Sequence, residues 1–459
     1  MTFSVYNILV TVFIVGFLYS LKLMNSPVTA ARGNLLGGLC ILSVVAATIL
    51  EYGVISRGTL WISMGAGGAV GLILALKTAI IRMPQLVALL NGLGGGASTL
   101  TAFAVLGYTH DGTYTTVVTA GLAIIIGSVT FSGSMIAAAK LEHKISQKPI
   151  VFTGHNAIGY LLVILMGAIL TFLTLTSHHP YVSILLIAVA LTFGIIFTIR
   201  IGGADMPVTI SLLNSLSGLA ASVAGFTVRN PILIAVGAVV GAGGFILTQI
   251  MCRAMNRTLY NVVMGRTTVA SGKKRQEYLT PASTSARMPE KTGESDVDLL
   301  RKSACIIIVP GYGMALSQAQ HAVKALYDAL LAMEKDVQFA IHPVAGRMPG
   351  HMNVLLAEAD IPYDRLLEMD DANKLFKNTD VVLVVGANDV VNPAAATAEG
   401  TPIYGMPILT VAEAKRVIIF NLDEKPGYAG VENSLYGMDT VTLRLGDAKE
   451  QIQKLTKAL

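Results

Sequence analysis

Two glycines in the carboxy-terminal part of this sequence have a spacing that suggests a definite chemistry. The stretch VPGYGMALSQAQ, residues 309–320, places Gly311 and Gly313 after an apolar run and before a helical pattern. Gly311 permits a tight turn, and Gly313 lets backbone N–H groups approach a pyrophosphate at the positive end of a helix. Leu316 occupies the third position, where Gly or Ala is usual. The pattern predicts a dinucleotide-binding turn, and an ordinary strand–helix loop is the alternative.

Three polar residues in or beside long apolar runs suggest a second kind of chemistry. Asn91 follows Pro84 by seven residues and Asn214 follows Pro207 by seven, so at about 1.5 Å per residue both lie about 10 Å from the same end of their helices. Asp205 immediately precedes the second of these helices. Polar groups within a membrane are costly and mark ion or proton pathways. Hydrogen bonding between helices is an equally good explanation for each Asn.

The composition predicts a membrane protein. The 459 residues are 53% hydrophobic and only 13% charged, whereas an ordinary globular chain has about 25% charged residues. The net charge is +5, and the basic residues lie between apolar segments, which argues against nucleic acid as a partner. Cys40, Cys252 and Cys305 are too scattered for a disulfide framework or a metal site.

The first 255 residues contain nine apolar runs, each long enough to cross about 30 Å of hydrocarbon. These predicted spans are Val5 to Leu23, Leu35 to Tyr52, Leu60 to Leu76, Pro84 to Leu106, Thr116 to Ala139, Ile158 to Thr176, Val182 to Ile199, Val208 to Val228 and Pro231 to Met255. Glycine spacings such as Gly67 to Gly71 and Gly237 to Gly241 are interpreted as helix-packing sites.

The basic residues between the runs predict the orientation, because short cytoplasmic loops retain Lys and Arg. Only Arg57 and Arg229 fall on the opposite side of the membrane from the others. The majority side contains Lys22, Arg32, Lys77, Arg82, Lys140, Lys144, Lys148, Arg200, Arg253 and Arg257. We therefore expect a multi-pass protein of the bacterial inner membrane with its amino terminus outside and its carboxy-terminal domain in the cytoplasm, or in the matrix if the source is an organelle.

A polar segment separates the spans from a second domain. TPASTSARMPEKTGESD, within residues 280–296, is typical of a linker. After it, short apolar runs alternate with helical patterns, which predicts a parallel sheet. The predicted architecture is an all-α polytopic membrane bundle at 1–258, a linker at 259–298 and an α/β Rossmann-like parallel-sheet domain at 299–459. The predicted strands are Ala304 to Val309, Val337 to Ile341, Val381 to Val385, Val417 to Phe420 and Val441 to Leu445, and the predicted helices are Ala315 to Met333, His351 to Glu358 and Ala448 to Ala458.

The second strand of this domain ends in FAIHPVAG and lacks the acidic residue that usually binds the ribose of NAD. This predicts NADP as the cofactor, an unusual cofactor orientation, or both.

Longer blocks resemble a known family. GYGMA, HPVAGRMPGHMNVLLAEA, VVGANDVVNPAA, YGMP, GYAGVEN and GDAK follow one another here, and TFSGS, IGGADMPV, LLNSLSG and IMCRAMNR lie in the membrane part. They closely resemble the beta subunit of proton-translocating NAD(P) transhydrogenase. The resemblance implies hydride transfer between NAD(H) and NADP(H) coupled to proton translocation, with NADP(H) on this chain. It also implies NAD(H) on a partner alpha subunit, and we expect a dimer of the assembled complex in the bilayer.

The resemblance also implies roles for individual residues. Arg347 would bind a phosphate, with a solvated loop arginine as the alternative, and Asp389 would lie beside the nicotinamide and take part in proton coupling, with helix capping as the alternative. Residues 427–430 resemble a lid over the cofactor. The complete predicted cofactor set is Gly311, Tyr312, Gly313, Met314, Ala315, Val344, Ala345, Gly346, Arg347, Met348, Pro349, Gly386, Ala387, Asn388, Asp389, Val390, Gly405, Met406, Asn421, Lys425, Gly427, Tyr428, Ala429, Gly430, Asp447 and Ala448.

Two positions depart from the family pattern. The family commonly has Lys-Arg-Ser to bind the 2′-phosphate where this chain has residues 421–423, Asn-Leu-Asp, and Lys425 is the available substitute. Many members have a membrane histidine where this chain has Asn91, and none of its eight histidines falls in the middle of a span. Because an amide does not exchange protons at physiological pH, ordered water near Asn91 and Asn214 would conduct, with Asp205 or a partner residue titrating. Glu51 is a weaker candidate.

Two other function classes fit parts of the pattern. A channel or secondary transporter gated by a nucleotide-sensing domain would predict a pore filter or inverted repeats, and the sequence has no clear internal repeat. A self-sufficient membrane reductase would need a flavin or second nucleotide site, for which the sequence has no pattern.

Overall fold

The computed structural model describes residues 5–24, 27–51, 53–78, 82–108, 113–142, 144–146, 149–176, 180–255, 258–264, 295–346, 350–399, 401, 403–427 and 429–459. The chain divides into two compact units. The first contains residues 1–135, 157–196 and 213–244, and the second contains residues 136–156, 197–212 and 245–459.

Long apolar helices account for the amino-terminal half of the described residues. They are α1 Val5–Met24, α2 Pro27–Glu51, α3 Gly58–Lys77, α4 Met83–Tyr108, α5 Tyr114–Leu141, α6 His155–Leu175, α7 Pro180–Ile199, α8 Met206–Thr227 and α9 Pro231–Ala254. Within the described ranges, eight helices, α2 to α9, are long and apolar enough to cross a membrane, and α1 is apolar over Thr11–Met24. A helix satisfies its own backbone hydrogen bonds, which a segment in lipid requires. The predicted polytopic helical fold is confirmed.

Glycines allow several of these helices to pack backbone to backbone in the first unit. A Cβ atom built on Gly218 of α8 would lie 2.4 Å from the Gly241 nitrogen of α9, and one on Gly237 would lie 2.4 Å from the Ser222 nitrogen. By contrast, α3 has no buried residue, and a Cβ on Gly67 would meet no described atom within 4 Å. The glycine spacing of α9 is therefore a packing site within this chain, whereas that of α3 is not.

The carboxy-terminal domain is a six-stranded sheet in which every pair of neighbouring strands is parallel. The strand order is β3-β2-β1-β4-β5-β6, the doubly wound order of dinucleotide-binding domains. The strands are β1 Cys305–Pro310, β2 Asp336–Ile341, β3 Leu366–Glu368, β4 Val381–Val385, β5 Arg416–Asn421 and β6 Val441–Leu445. The predicted Rossmann-like fold is confirmed.

Continuous Val and Ile runs produce the central strands. All five residues of β4 are buried, as are five of the six residues of β1, which is the pattern of strands covered by helices on both faces. One face of the sheet packs on Phe376, Leu409 and Leu435, each fully buried. Because the six strands are parallel, their carboxyl ends share one edge, where ligands bind in such sheets.

Shorter helices connect and flank the strands. They are α10 Leu259–Val263, α11 Asp296–Lys302, α12 Tyr312–Leu316, α13 Gln320–Ala332, α14 His351–Glu358, α15 Met369–Leu375, α16 Ala394–Thr397 and α17 Ala448–Ala458. The predicted helix from Ala315 to Met333 is interrupted, because Ser317 Oγ donates to the Gly313 carbonyl and Gln318 has a φ of 50°.

Candidate functional site

The turns after β1 and β4 meet at the point where the strand order reverses. The Gly311 N–H donates to the Val385 carbonyl at 2.8 Å, and the Gly313 N–H donates to the Gly386 carbonyl at 2.7 Å. A Cβ on Gly311 would lie 2.3 Å from the Gly386 oxygen, and one on Gly386, whose φ is +65°, would lie 2.4 Å from the Met314 nitrogen. These glycines therefore allow two backbone turns to touch.

This geometry changes the role expected for Gly313. Its N–H is bonded to the neighbouring turn, so the glycine is needed for close packing of the two turns rather than to present its own N–H to a pyrophosphate. The helix that follows, α12, has five residues instead of continuing into the long helix predicted. Within α12, Met314 and Ala315 are buried, and Tyr312 and Leu316 are not.

The loop after β4 contacts the predicted lid directly. Asp389 Oδ2 accepts the Ala429 N–H at 3.0 Å, and a Cβ on Gly427 would lie 2.6 Å from Asp389 Oδ1. Asn388 Nδ2 donates to the Lys425 carbonyl at 3.0 Å. The structure thus brings the predicted residues of the β4 loop together with three of the four predicted lid residues, since Gly430 adjoins Ala429. The fourth, Tyr428, lies outside the described residues.

The loop after β2 is organised by a buried histidine. His342 Nδ1 accepts the Val344 N–H at 3.3 Å, so the Nε2–H donates to the Pro407 carbonyl at 2.8 Å. Burial lowers the pKa of His342 to about 4, so the ring is neutral near pH 7. This bond joins the β2 loop, including the buried Ala345, to the segment that begins with Gly405 and Met406.

Gly346 and His351 shape the rest of that loop. Gly346 has a φ of +102°, and a Cβ there would lie 2.7 Å from His351 Nδ1. The His351 ring, which is fully buried, meets the Tyr312 ring edge-on at 6.3 Å between centroids. The β2 loop and the β1 turn are therefore adjacent. Arg347, Met348 and Pro349 lie outside the described residues.

The end of β5 carries the residues at which this chain differs from the family pattern for the 2′-phosphate. Asn421 is buried, and its Nδ2 donates to the Ala387 carbonyl at 3.1 Å and to Tyr436 Oη at 2.7 Å. Lys425 is exposed and pairs with Asp423 at 3.1 Å, and this hydrogen bond lowers the pKa of Asp423. Asn421 therefore supports the β4 loop, and Lys425 is the exposed cation of this strip.

The last predicted pair lies at the end of β6. Asp447 Oδ1 accepts the Glu450 N–H at 3.1 Å and so caps α17, a common role for Asp, while Ala448 is buried. The Gly446 N–H donates to the Asn421 carbonyl at 2.9 Å, which places this turn beside the β5 end at the shared edge.

The polar residues predicted for the membrane part lie on separate helices. Asn91 is buried on α4 and Asn214 is half-buried on α8. Gly94 lies three residues after Asn91, and Ser217 lies three residues after Asn214. A Cβ built on Gly94 would lie 2.8 Å from Ser217 Oγ. α4 and α8 are therefore in contact one helical turn from both asparagines, and the water path near the two amides stays a prediction.

Asp205 immediately precedes α8, in the second unit. It is 2% exposed, its N–H donates to the Gly202 carbonyl at 3.1 Å, and its carbonyl accepts Thr209 Oγ1 at 3.0 Å. Its burial beside the membrane-capable helix α8 makes it a candidate for the proton path.

Lys140, which the sequence marks only as an orientation signal, has a structural role. Its side chain is fully buried, and Nζ donates to the Ile199 and Ile201 carbonyls at 2.5 and 2.8 Å. The ammonium thus binds the carboxyl end of α7, just before the turn that leads to Asp205. Nothing in the residue spacing indicates this contact, because 59 residues separate the donor from its first acceptor.

No group of three or more His, Cys, Asp or Glu residues able to hold a metal ion occurs among the residues that the structure describes. The described side chains at the shared edge include amides, the carboxylates of Asp389, Asp423 and Asp447, one lysine and aromatic rings, arranged around glycine turns. Such a site can bind and orient a dinucleotide, and its described residues contain no nucleophile paired with a base.

Comparisons with known proteins agree with this geometry. The family model described as "NAD(P) transhydrogenase beta subunit" matches residues 6–458. The NAD(P) transhydrogenase subunit beta of Rhodospirillum rubrum is 40% identical over 456 residues, covering 96% of each chain. A protein of the same description from a named strain of that species has the same identity and coverage.

Proposed function

Because this chain belongs to the NAD(P) transhydrogenase beta subunit family, we propose that it binds NADP(H) and conducts protons in an enzyme that exchanges hydride between NAD(H) and NADP(H). The supporting observation is that the described part of this one chain combines eight membrane-capable helices with a parallel sheet whose glycine turns touch at the switch point. NAD(H) would be bound by the alpha subunit, and the assembled complex would be a dimer.

The residues at the sheet edge fit a nicotinamide dinucleotide. Gly311, Gly313 and Gly386 let the backbones of the two turns meet at the switch point, and a ligand at the carboxyl ends of the strands would lie beside both turns. Tyr312 and the β2 loop lie on one side of this point, and Asp389 with the lid lies on the other. For the 2′-phosphate, Lys425 is the cation we assign, and it would exchange its pairing with Asp423 for the phosphate.

The nicotinamide ring supplies the hydride chemistry when it is bound. This chain's contribution is to orient the ring and exclude water, and no protein acid or base is required for the hydride step. The lid, held on Asp389 through the Ala429 N–H, would cover the cofactor, and its release would admit exchange.

Coupling requires that the nucleotide domain and the membrane residues influence each other. We assign Asp205 as the titrating group, with water at Asn91 and Asn214 completing the path. If protonation changes the affinity for NADP(H), then NADP(H) binding must change the proton affinity by the same factor. The proposed orientation places the carboxy-terminal domain in the cytoplasm of a bacterial cell and the amino terminus outside.

Reconstitution with the partner subunit in vesicles tests this proposal. We expect hydride exchange between the two nucleotide pools to change the internal pH, as a trapped pH-sensitive dye would measure. Hydride exchange with no pH change would reject the proton path but keep the enzymology. Nucleotide-dependent flux of another ion with no second nucleotide present would favour a gated channel instead.

A further inference from the structure

Three asparagines fasten residues 424–433, which include the predicted lid, to the loop after β4. Asn388 Nδ2 donates to the Lys425 carbonyl at 3.0 Å, and Asn392 Nδ2 donates to the Glu432 carbonyl at 3.1 Å. Asn433 Nδ2 donates to both oxygens of Asn388, Oδ1 at 3.1 Å and the carbonyl at 3.3 Å. With the bond from Ala429 to Asp389, the segment is held near both ends and in the middle.

Asn392 and Asn433 share an arrangement that an amide side chain suits particularly well. The Oδ1 atom of Asn392 accepts the Ala394 N–H at 3.0 Å, and that of Asn433 accepts the Leu435 N–H at 3.1 Å. In each residue the oxygen therefore caps a local turn while the nitrogen bonds across to the other segment. An aspartate could make the cap but has no N–H to donate. Both side chains are buried, at 0% and 6% exposure, so water cannot readily replace the lost bond.

We propose that Asn392 and Asn433 are positioning residues that hold the lid closed and thereby set the rate at which NADP(H) leaves the enzyme. The inference rests on the proposed NADP(H) site. Opening the lid separates Glu432 from Asn392 and Asn433 from Asn388, so each bond contributes to the barrier for release. Neither residue needs to touch the nucleotide.

Asn392→Asp and Asn433→Asp in the full chain, assembled with its partner subunit, test the proposal. Each substitution keeps the capping oxygen and removes the crossing N–H. The assay loads the complex with NADPH, adds excess NADP⁺ and follows the loss of bound-NADPH fluorescence. We expect release to accelerate about tenfold in each variant, while single-turnover hydride transfer at saturating nucleotide changes less than about twofold. Asn392→Ser and Asn433→Ser, whose hydroxyls also cap, serve if the added charge prevents folding.

Asn373→Asp is the matched control. Asn373 is a half-buried asparagine outside the lid that also uses both atoms of its amide, although both bonds reach one distant segment: its Oδ1 accepts the Thr410 N–H at 3.0 Å and its Nδ2 donates to the Ile408 carbonyl at 3.0 Å. We expect no change in NADPH release. Equal acceleration in this control, or unchanged release in the two test variants, would overturn the inference alone. A wild-type complex that fails to bind NADPH would overturn the proposed function and this inference with it.

Discussion

His342 shows how one buried side chain can connect two cofactor loops only while it is neutral. Its Nδ1 must be unprotonated to accept from Val344, and its Nε2–H must be present to donate to Pro407. The sequence places a histidine in this loop, but spacing does not reveal that it is buried or that its partner lies 65 residues away. At the residue scale, the local glycine pattern predicted the turn after β1, whereas the contact of that turn with Gly386 joins residues far apart in the sequence. The roles assigned to Asp389 and the other cofactor residues stay predictions.

Acid should destabilise the nucleotide domain through His342. Its pKa falls from 6.5 in the unfolded chain to about 4 in the fold, so the unfolded chain takes up a proton first. The stabilisation is complete above pH 6.5 and is lost as the pH falls to about 4, with a total of about 3 kcal/mol. Urea unfolding of the full chain in detergent at several pH values should show a smaller acid loss for His342→Gln. Parallel losses in both proteins would contradict this assignment.

Lys425 and Asp423 should set the preference for NADP(H) over NAD(H). Asp423→Asn removes the anion that pairs with Lys425, and we expect NADP⁺ to bind about two- to fivefold more tightly with NAD⁺ binding unchanged. Lys425→Met should weaken NADP⁺ binding alone. Calorimetric titration with each nucleotide measures both effects, and equal changes for NAD⁺ and NADP⁺ would refute the assignment.

The elements themselves were largely predictable, and the exceptions have physical causes. β4, β6, α14 and α17 begin and end at the predicted residues. β4 is a continuous apolar run and α17 is strongly amphipathic, and both are clear sequence signals. β3 was missed because it has three residues and pairs only with β2 at the sheet edge. The start of α2 at Pro27 was missed because polar residues in its first turns fall outside an apolar window, although proline suits a first helical position.

Gly386 should tolerate no side chain. Alanine there would need a positive φ and would press a Cβ to 2.4 Å from the Met314 nitrogen, forcing the β1 and β4 turns apart. We expect Gly386→Ala to weaken NADPH binding by more than about tenfold and to destabilise the domain by about 2 kcal/mol or more. Fluorescence titration and thermal unfolding measure these changes. In Gly437→Ala, where no atom of the described residues lies within 4 Å of the built Cβ, NADPH binding and thermal stability should stay near wild type.

Lys140 should hold the end of α7 in place. Lys140→Met removes the donor to the Ile199 and Ile201 carbonyls, which costs about 1–3 kcal/mol locally. Hydrogen exchange in residues 197–212, measured by mass spectrometry, should then accelerate. Lys144→Met is the control, because Lys144 is exposed and pairs with Glu142. Identical exchange in the two variants would exclude a local role for Lys140.

At the scale of the whole molecule, the sequence predicted a membrane bundle joined to a nucleotide domain, and both folds are confirmed. The boundaries of the linker, the orientation and the proton path stay predictions. Composition locates apolar helices well because lipid imposes one requirement along the whole span. Composition does not specify which helices pack together. The contact of α4 with α8 is at Gly94, which is one of many glycines in this region.

Asp205→Asn should separate the two activities of the complex. The substitution removes the proposed titrating group at the start of α8 and leaves the nucleotide-site residues intact. In vesicles we expect NADP(H) binding within about twofold of wild type and proton movement per hydride reduced by at least about tenfold. Asp364→Asn, at an exposed position, should behave as wild type. Full proton movement in Asp205→Asn would move the titrating role to another group.

The joint formed by Gly311, Gly313 and Gly386 has a consequence for how this protein can vary. Where two side chains pack together, a larger residue at one position can be compensated by a smaller residue at the other, so both positions can change during evolution. Here the nearest contact at each glycine is a main-chain atom, so a smaller side chain opposite cannot compensate for an added one. We expect deep mutational libraries to return these three positions unchanged even when their surroundings are freely randomised.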